Sequence, residues 1–293
     1  MRGDQKNSAA APPVPVGTTE RIEVAGRRLN VWRAGERGPV VVLVHGIPTN
    51  HLLWHDVVLG LHDRAQIMAV DMLGYGWSDP PQGRRVDIAA QASYVLGLLD
   101  VLGIDEAVVV GHDLGGGVAQ LLATTSGDRI RGIGIVDGVT FDGWPVPVFA
   151  VMKALWPLVG AMPAPLLTAG LDRVLRSLFV HKDRAALYAP WFTAPWGRPG
   201  ASALLTRHLR ALNPGLTQAI TPFLPRLSMP VEVVWGRQDS EMKPKYGERL
   251  LDAIPSAHLT WVDAHHFVPA DTPVPVIEAI LRLLERVGTD PRD

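Results

Sequence analysis

Cysteine is absent from the 293 residues, which excludes disulfides, thiolate nucleophiles and cysteine-bound zinc. Charge of one sign is not in excess either. The formal balance of −1 at pH 7 gives no footprint for nucleic acid or an anionic membrane. The glycine-rich run Gly111–Gly117 lacks the Gly-x-Gly-x-x-Gly spacing and the following acid of a dinucleotide site, so no cofactor is expected. His51 and His55 lie four apart on an expected helix, but no glutamate companion or third ligand accompanies them, so no metal is expected. The longest apolar stretch, Val146 to Leu167, has Lys153 as its single charge. Pro157, Pro163 and Pro165 interrupt it, which suits helices burying one face better than a membrane span. Residues 1–18 contain Ser, Ala and Pro without an apolar core segment. They read as a disordered tail, not a signal peptide, and a cytoplasmic protein is expected.

With 47% apolar and 19% charged residues, the chain has the composition of a soluble globular protein with a sizeable core. Arg21 to Trp32 alternates, breaks at Ala25-Gly26 and alternates again, which predicts a hairpin. Short unbroken apolar runs at Val40–Val44, Gln66–Val70, Ala107–Val110, Ile130–Val136 and Val231–Val234 predict buried parallel strands. Helical patterns at Ile88–Leu102 and Leu114–Thr125 fall between them, so a mostly parallel sheet with helices on both faces is expected. The alternation stops at about residue 140 and resumes after about 224. Residues 140–224, rich in Pro and Trp, are expected to form a helical cap inserted after the sixth strand. Residues 19–139 and 225–293 would form the core.

Val108–Gly117 runs from a strand through a sharp turn into a helix, with the pattern Gly111-x-Asp113-x-Gly115 at the junction. Such a turn exposes its central side chain, and small neighbours are needed where backbone segments crowd. Here the exposed side chain is a carboxylate. A serine attacking a saturated carbon would form an ether and stop there. A carboxylate forms an alkyl ester that water can cleave. Asp113 therefore points to substrates with an electrophilic sp3 carbon, and away from simple esters and peptides. Asp239, after the strand that begins at Val231, is the expected acid, with Asp137 after the sixth strand as a rival. Two histidines, His265 and His266, follow. The order nucleophile, acid, histidine suits one hydrolytic site. The backbone N–H groups of Leu114 and Ile47 are the expected oxyanion-hole donors.

Five motifs carry a resemblance: His45-Gly46-Ile47-Pro48-Thr49, Asp71 to Asp79, Gly111-His112-Asp113-Leu114-Gly115-Gly116, Trp235-Gly236-Arg237-Gln238-Asp239 and His266-Phe267. Over roughly residues 20–290 the chain resembles the α/β-hydrolase superfamily, and within it the aspartate-nucleophile branch of epoxide hydrolases and haloalkane dehalogenases. The resemblance implies an α/β-hydrolase fold, His266 as the base that activates water against an ester on Asp113, and Asp239 as its orienting acid. Epoxide hydrolases of that branch usually place two cap tyrosines on the opening oxygen. Tyr188 is the one cap tyrosine here, with Trp191 or Trp196 as possible second donors. Haloalkane dehalogenases usually place Trp directly after the nucleophile and a polar residue after His-Gly, where this chain has Leu114 and Ile47. Epoxide opening is accordingly the preferred expectation and dehalogenation the alternative. A hydrolase fold that only binds a small molecule is a third possibility, of another class. Tyr188, Trp191, Trp144 and His45 are expected to border a hydrophobic substrate. Water is the co-substrate, and oligomeric state is left open.

Overall fold

The apolar runs become the middle of one sheet. A computed structural model describes residues 14–288. Its strands are β1 (Thr18–Val24), β2 (Arg27–Ala34), β3 (Val40–Val44), β4 (Gln66–Val70), β5 (Ala107–His112), β6 (Ile130–Val136), β7 (Val231–Gly236) and β8 (Ala257–Val262). The sheet order is β1-β2-β4-β3-β5-β6-β7-β8. The β1–β2 and β2–β4 pairs are antiparallel and all the others parallel. The sequence reading did not find β8. It lies at the sheet edge, most of its residues are half-buried, and polar His258 and Thr260 interrupt its apolar side chains.

Helices α1 (His55–Leu61), α2 (Ile88–Val101) and α3 (Leu114–Thr125) follow β3, β4 and β5. Between β6 and β7 the chain forms α4 (Pro147–Ala154), α5 (Trp156–Gly160), α6 (Ala164–Ser177), α7 (Lys182–Thr193), α8 (Ala201–Ala211) and α9 (Gly215–Ile220). The C-terminal part adds α10 (Lys245–Ala253), α11 (Val268–Asp271) and α12 (Pro273–Gly288). α1 packs on α12, which lies on β6 and β7; α2 packs on α3, which lies on β5 and β6. Among the described residues no helix is long and apolar enough to cross a membrane.

The expected disordered tail needs correction at its end. Residues 1–13 lie outside the described residues. Beyond them, Trp32 Nε1 donates to the Val16 carbonyl at 2.7 Å, Val14 and Val16 pack on the core, and Thr18 already opens β1.

Parallel strands deliver their C-terminal ends to one rim of the sheet, where ligand sites of α/β proteins form. The loop after β3 carries His45 to Pro48, and Asp113, Asp137, Asp239 and His266 follow β5, β6, β7 and β8. A buried clamp fixes β7 in place. Glu232, 2% exposed, accepts from Arg282 at 3.1 Å and Arg286 at 2.9 Å, both on α12. Removing the carboxylate's charge leaves two guanidinium groups short of their acceptor. Glu232→Gln is therefore expected to lower the free energy of unfolding in urea by roughly 2 kcal/mol. An unchanged denaturation midpoint would show that the clamp adds nothing.

Candidate active site

β5 turns into α3 at Asp113, whose φ of 50° and ψ of −117° lie outside the regions that L-residues favour. Such a conformation costs on the order of 1–3 kcal/mol and persists only where packing dictates it. The packing here is backbone on backbone. A Cβ on Gly111 would stand 1.9 Å from the Gly115 carbonyl oxygen, and one on Gly115 would stand 2.1 Å from that of Val44. The turn points the Asp113 carboxylate, 4% exposed, across the rim. Oδ1 accepts from the Ile47 N–H at 2.8 Å, and the Leu114 N–H also hydrogen-bonds the carboxylate. Oδ2 lies 3.9 Å from His266 Nε2.

His266 Nδ1 sits 2.9 Å from Asp239 Oδ2. The other oxygen of Asp239 accepts from the N–H groups of Glu241 (2.8 Å) and Met242 (2.9 Å), so the acid is fixed by its own turn. The structure thus brings Asp113, His266 and Asp239 together. The rival Asp137 is buried beside Asp239, and its Oδ1 accepts from the Gly236 N–H at 2.8 Å. His265 is half-buried and turned aside: its Nδ1 accepts from the His266 N–H and its Nε2 is 3.2 Å from Ser240 Oγ. His112 Nε2 donates to the His266 carbonyl at 2.9 Å and steadies the loop that carries the imidazole.

The electrostatics follow from burial and mutual charge. Burial raises Asp113 to about 6, against the opposing pull of His266 and the two N–H donors. Burial works against the charged form of His266, but Asp239 and Asp113 outweigh it and raise the pKa to about 9. Burial, and then the charge of Asp239, push Asp137 well above the usual carboxylate range. A buried carboxylate held by N–H donors at the floor of a cavity is arranged for attack on carbon.

That cavity, of about 200 Å³, opens above Asp113 and His266. Its walls come mainly from α4 and α6. Leu167, Leu171 and Leu175, four residues apart, present one helical face. Leu167 ends the apolar stretch noted in the sequence, and Leu171 and Leu175 lie beyond it at the same visible spacing. Of the expected site residues, Ile47, Leu114 and Trp144 line the cavity, with the Trp144 N–H held by Thr217 Oγ1 at 2.8 Å.

Three expectations are corrected, because Tyr188, Trp191 and His45 do not line the cavity. The Tyr188 hydroxyl accepts from Arg184 at 3.3 Å, next to Asp56. The ring is fully buried among Phe179, Trp191 and Phe192. Trp191 packs on His55, with ring centroids 5.2 Å apart. Trp196, the other suggested donor, gives its N–H to the Pro48 carbonyl at 2.7 Å. His45 braces the oxyanion loop instead. Its Nδ1 is 2.8 Å from the Gly46 carbonyl, Nε2 accepts from the Met72 N–H at 3.1 Å, and burial lowers its pKa to about 4. His51 pairs with Asp71 at 2.9 Å, not with His55.

A carboxyl whose folded pKa is raised from 3.8 to about 6 weakens the fold when ionised. The penalty is full above pH 6 and fades as pH falls toward 3.8. Asp113→Asn is therefore expected to be more stable than the parent by up to about 3 kcal/mol at alkaline pH, with most of the gain gone near pH 4. Urea unfolding at the two pH values reads this directly; no gain at alkaline pH would mean that the buried charge is fully compensated.

Residues 39–273 match the family described as the alpha/beta hydrolase fold. Haloalkane dehalogenase 2 of Mycobacterium tuberculosis is 30% identical over 266 residues, covering 86% of this chain and 88% of that protein. The AB hydrolase superfamily protein YfhM of Bacillus subtilis is 28% identical, covering 90% and 96%. Among solved structures, an alpha/beta hydrolase fold protein from Burkholderia ambifaria superposes with a TM-score of 0.80 at 25% identity, over 90% of this chain and all of that one. With the match running from β3 through β8 and including the turn at Asp113 and the loops of Asp239 and His266, the chain belongs to the alpha/beta hydrolase fold family.

Proposed function

We propose that the protein hydrolyses a hydrophobic haloalkane through a covalent ester on Asp113. The observation that carries this reading is the carboxylate at the elbow, with Oδ1 held by the Ile47 N–H, Oδ2 3.9 Å from His266 Nε2, and an apolar cavity opening above the residue. Oδ2 attacks the carbon and the halide leaves with the bonding pair. His266 then takes a proton from water, hydroxide adds to Asp113 Cγ, and the N–H groups of Ile47 and Leu114 hold the charge on Oδ1. Collapse expels the alkoxide, which takes the proton back from His266 and leaves as the alcohol, and the Asp113 carboxyl then gives up its own proton to solvent by way of His266, which restores the carboxylate. The helical segment 140–224 serves as the cap that walls this chemistry from water.

A halide departs without a proton, whereas an opening epoxide needs an acid. Among the described residues that line the cavity there is no hydroxyl side chain, and Tyr188 is turned toward Arg184. The 30% identity to a haloalkane dehalogenase supports the same preference. Epoxide opening is the second reading. A pKa of about 9 keeps a proton on His266 at neutral pH, and this would be the acid in the cavity.

Intact-mass measurement on His266→Ala, incubated with bromoalkanes and terminal epoxides, separates the two. Dehalogenation is expected to leave a stable alkyl adduct on Asp113 and to release about one bromide per chain. No adduct from bromoalkanes, with epoxide turnover by the parent that the substitution abolishes, would favour the second reading. Turnover of both classes by Asp113→Ala would remove the nucleophile from Asp113.

The pH dependence of the two steps should differ. Alkylation needs ionised Asp113, so its rate is expected to fall about tenfold per pH unit below pH 6. Ester hydrolysis needs neutral His266. Esterification removes the Asp113 charge that helps raise His266, so its pKa in the intermediate is expected to lie below 9. Rapid quench with mass detection of the ester follows each step; an alkylation rate that is flat through pH 6 would contradict the burial of the charge.

A further inference from the structure

The near-neutral total conceals a charge reversal. Between β6 and β7, residues 137–230 hold nine Lys or Arg and four Asp, a formal +5. The remainder holds 19 and 25, a formal −6. Within the positive segment, residues 143–171 contain no acid and one charge, Lys153.

The same stretch is unusually apolar on its outside. Of thirteen large apolar side chains that stand exposed among the described residues, seven lie between residues 148 and 174, on or between α4, α5 and α6. Leu158 is 68% exposed, Leu166 59% and Val151 57%, and α4 has no buried residue at all. A concentration of exposed large apolar side chains of this kind marks a contact surface.

A basic groove adjoins that face. It runs between α5, α8 and residues 84–87 and is lined by Arg84, Arg85, Arg207 and Arg210 against one acid, Asp87, which Arg85 holds at 2.7 Å. Arg207 donates to the Arg84 carbonyl, and the Arg210 guanidinium lies 4.7 Å from the Trp156 ring. Trp156 belongs to both features, since it lines the groove and is 44% exposed beside Leu155 and Leu158. The face also runs into the cavity above Asp113, because Val148 and Val174 line that cavity and are each 40% exposed.

We propose that the α4–α6 face docks on an anionic lipid surface, with the groove arginines on headgroup phosphates, Trp156 at the headgroup level and the cavity mouth against the acyl chains. Aliphatic side chains flanked by tryptophan and arginine match the layered chemistry of a bilayer interface. The charge argues against a second copy of this chain as the occupant. A symmetric contact would set one arginine cluster near another with only Asp87 of each copy among them. Docking places the entrance of the apolar cavity where hydrophobic molecules concentrate. It stands apart from the chemistry at Asp113, because lipid binding is measured without turnover.

Co-sedimentation of the full chain with vesicles of phosphatidylcholine, with and without phosphatidylglycerol, tests this. Binding is expected to rise with the anionic lipid and to weaken with added salt. Arg207→Glu/Arg210→Glu is expected to lose about thirtyfold or more in apparent affinity for the anionic vesicles. Leu158→Glu is expected to lose binding as well, and circular dichroism melting shows whether each variant is folded. Three results would overturn the proposal: no sedimentation with either vesicle, equal sedimentation with both that salt does not change, or self-association that Leu158→Glu abolishes in a chain that ignores vesicles.

Discussion

The turn at Asp113 has only backbone on its two sides, and the rest of the site takes its geometry from that contact. Gly115 lies against the end of β3 and Gly111 against Gly115, so the first turn of α3 is pressed onto the rim of the sheet. That closeness gives the aspartate its positive φ, and it sets the Leu114 and Ile47 N–H groups against its carboxylate. Gly46 completes the fit, because a Cβ there would stand 2.2 Å from Oδ1. The strain and the oxyanion hole have one cause.

Around this turn the protein gathers three buried carboxyls and one imidazole. With all three ionised, an excess of negative charge would be sealed from water, which is costly. Burial and the charge of Asp239 raise Asp137 well above the usual carboxylate range, which eases that excess, and both Asp239 and Asp113 favour the charged form of His266. Other buried polar groups hold the loops. Asp71 accepts from His51, Asn30 and Trp77, and so ties three segments to one carboxylate. The Trp196 N–H on Pro48 links the helical segment to the oxyanion loop.

The strands with unbroken apolar runs were legible, since burial on both faces is written into every residue. That Asp113, Asp239 and His266 come together was legible for a related reason. Parallel strands end on one rim, so residues that follow different strands meet even when far apart in the chain. The side-chain directions within the helical segment were not. Tyr188 shares a helix with Arg184 one turn before it, but nothing in the sequence says that Asp56 of α1 completes the group and draws the phenol from the cavity. β8 was illegible because an edge strand is half wet and lacks a strong pattern.

The unequal footing of the two Asp113 oxygens has a stereochemical consequence for the proposed reaction. Oδ2 approaches carbon from the side opposite the departing group, and water later cleaves the ester at Cγ without touching that carbon. A chiral substrate is inverted once and never restored. The oxygen in the alcohol is Oδ2 itself, and the oxygen from water stays behind in the carboxylate. Each cycle therefore replaces an atom of the enzyme with one from solvent, and the first molecule of product carries an oxygen that entered the protein during its synthesis.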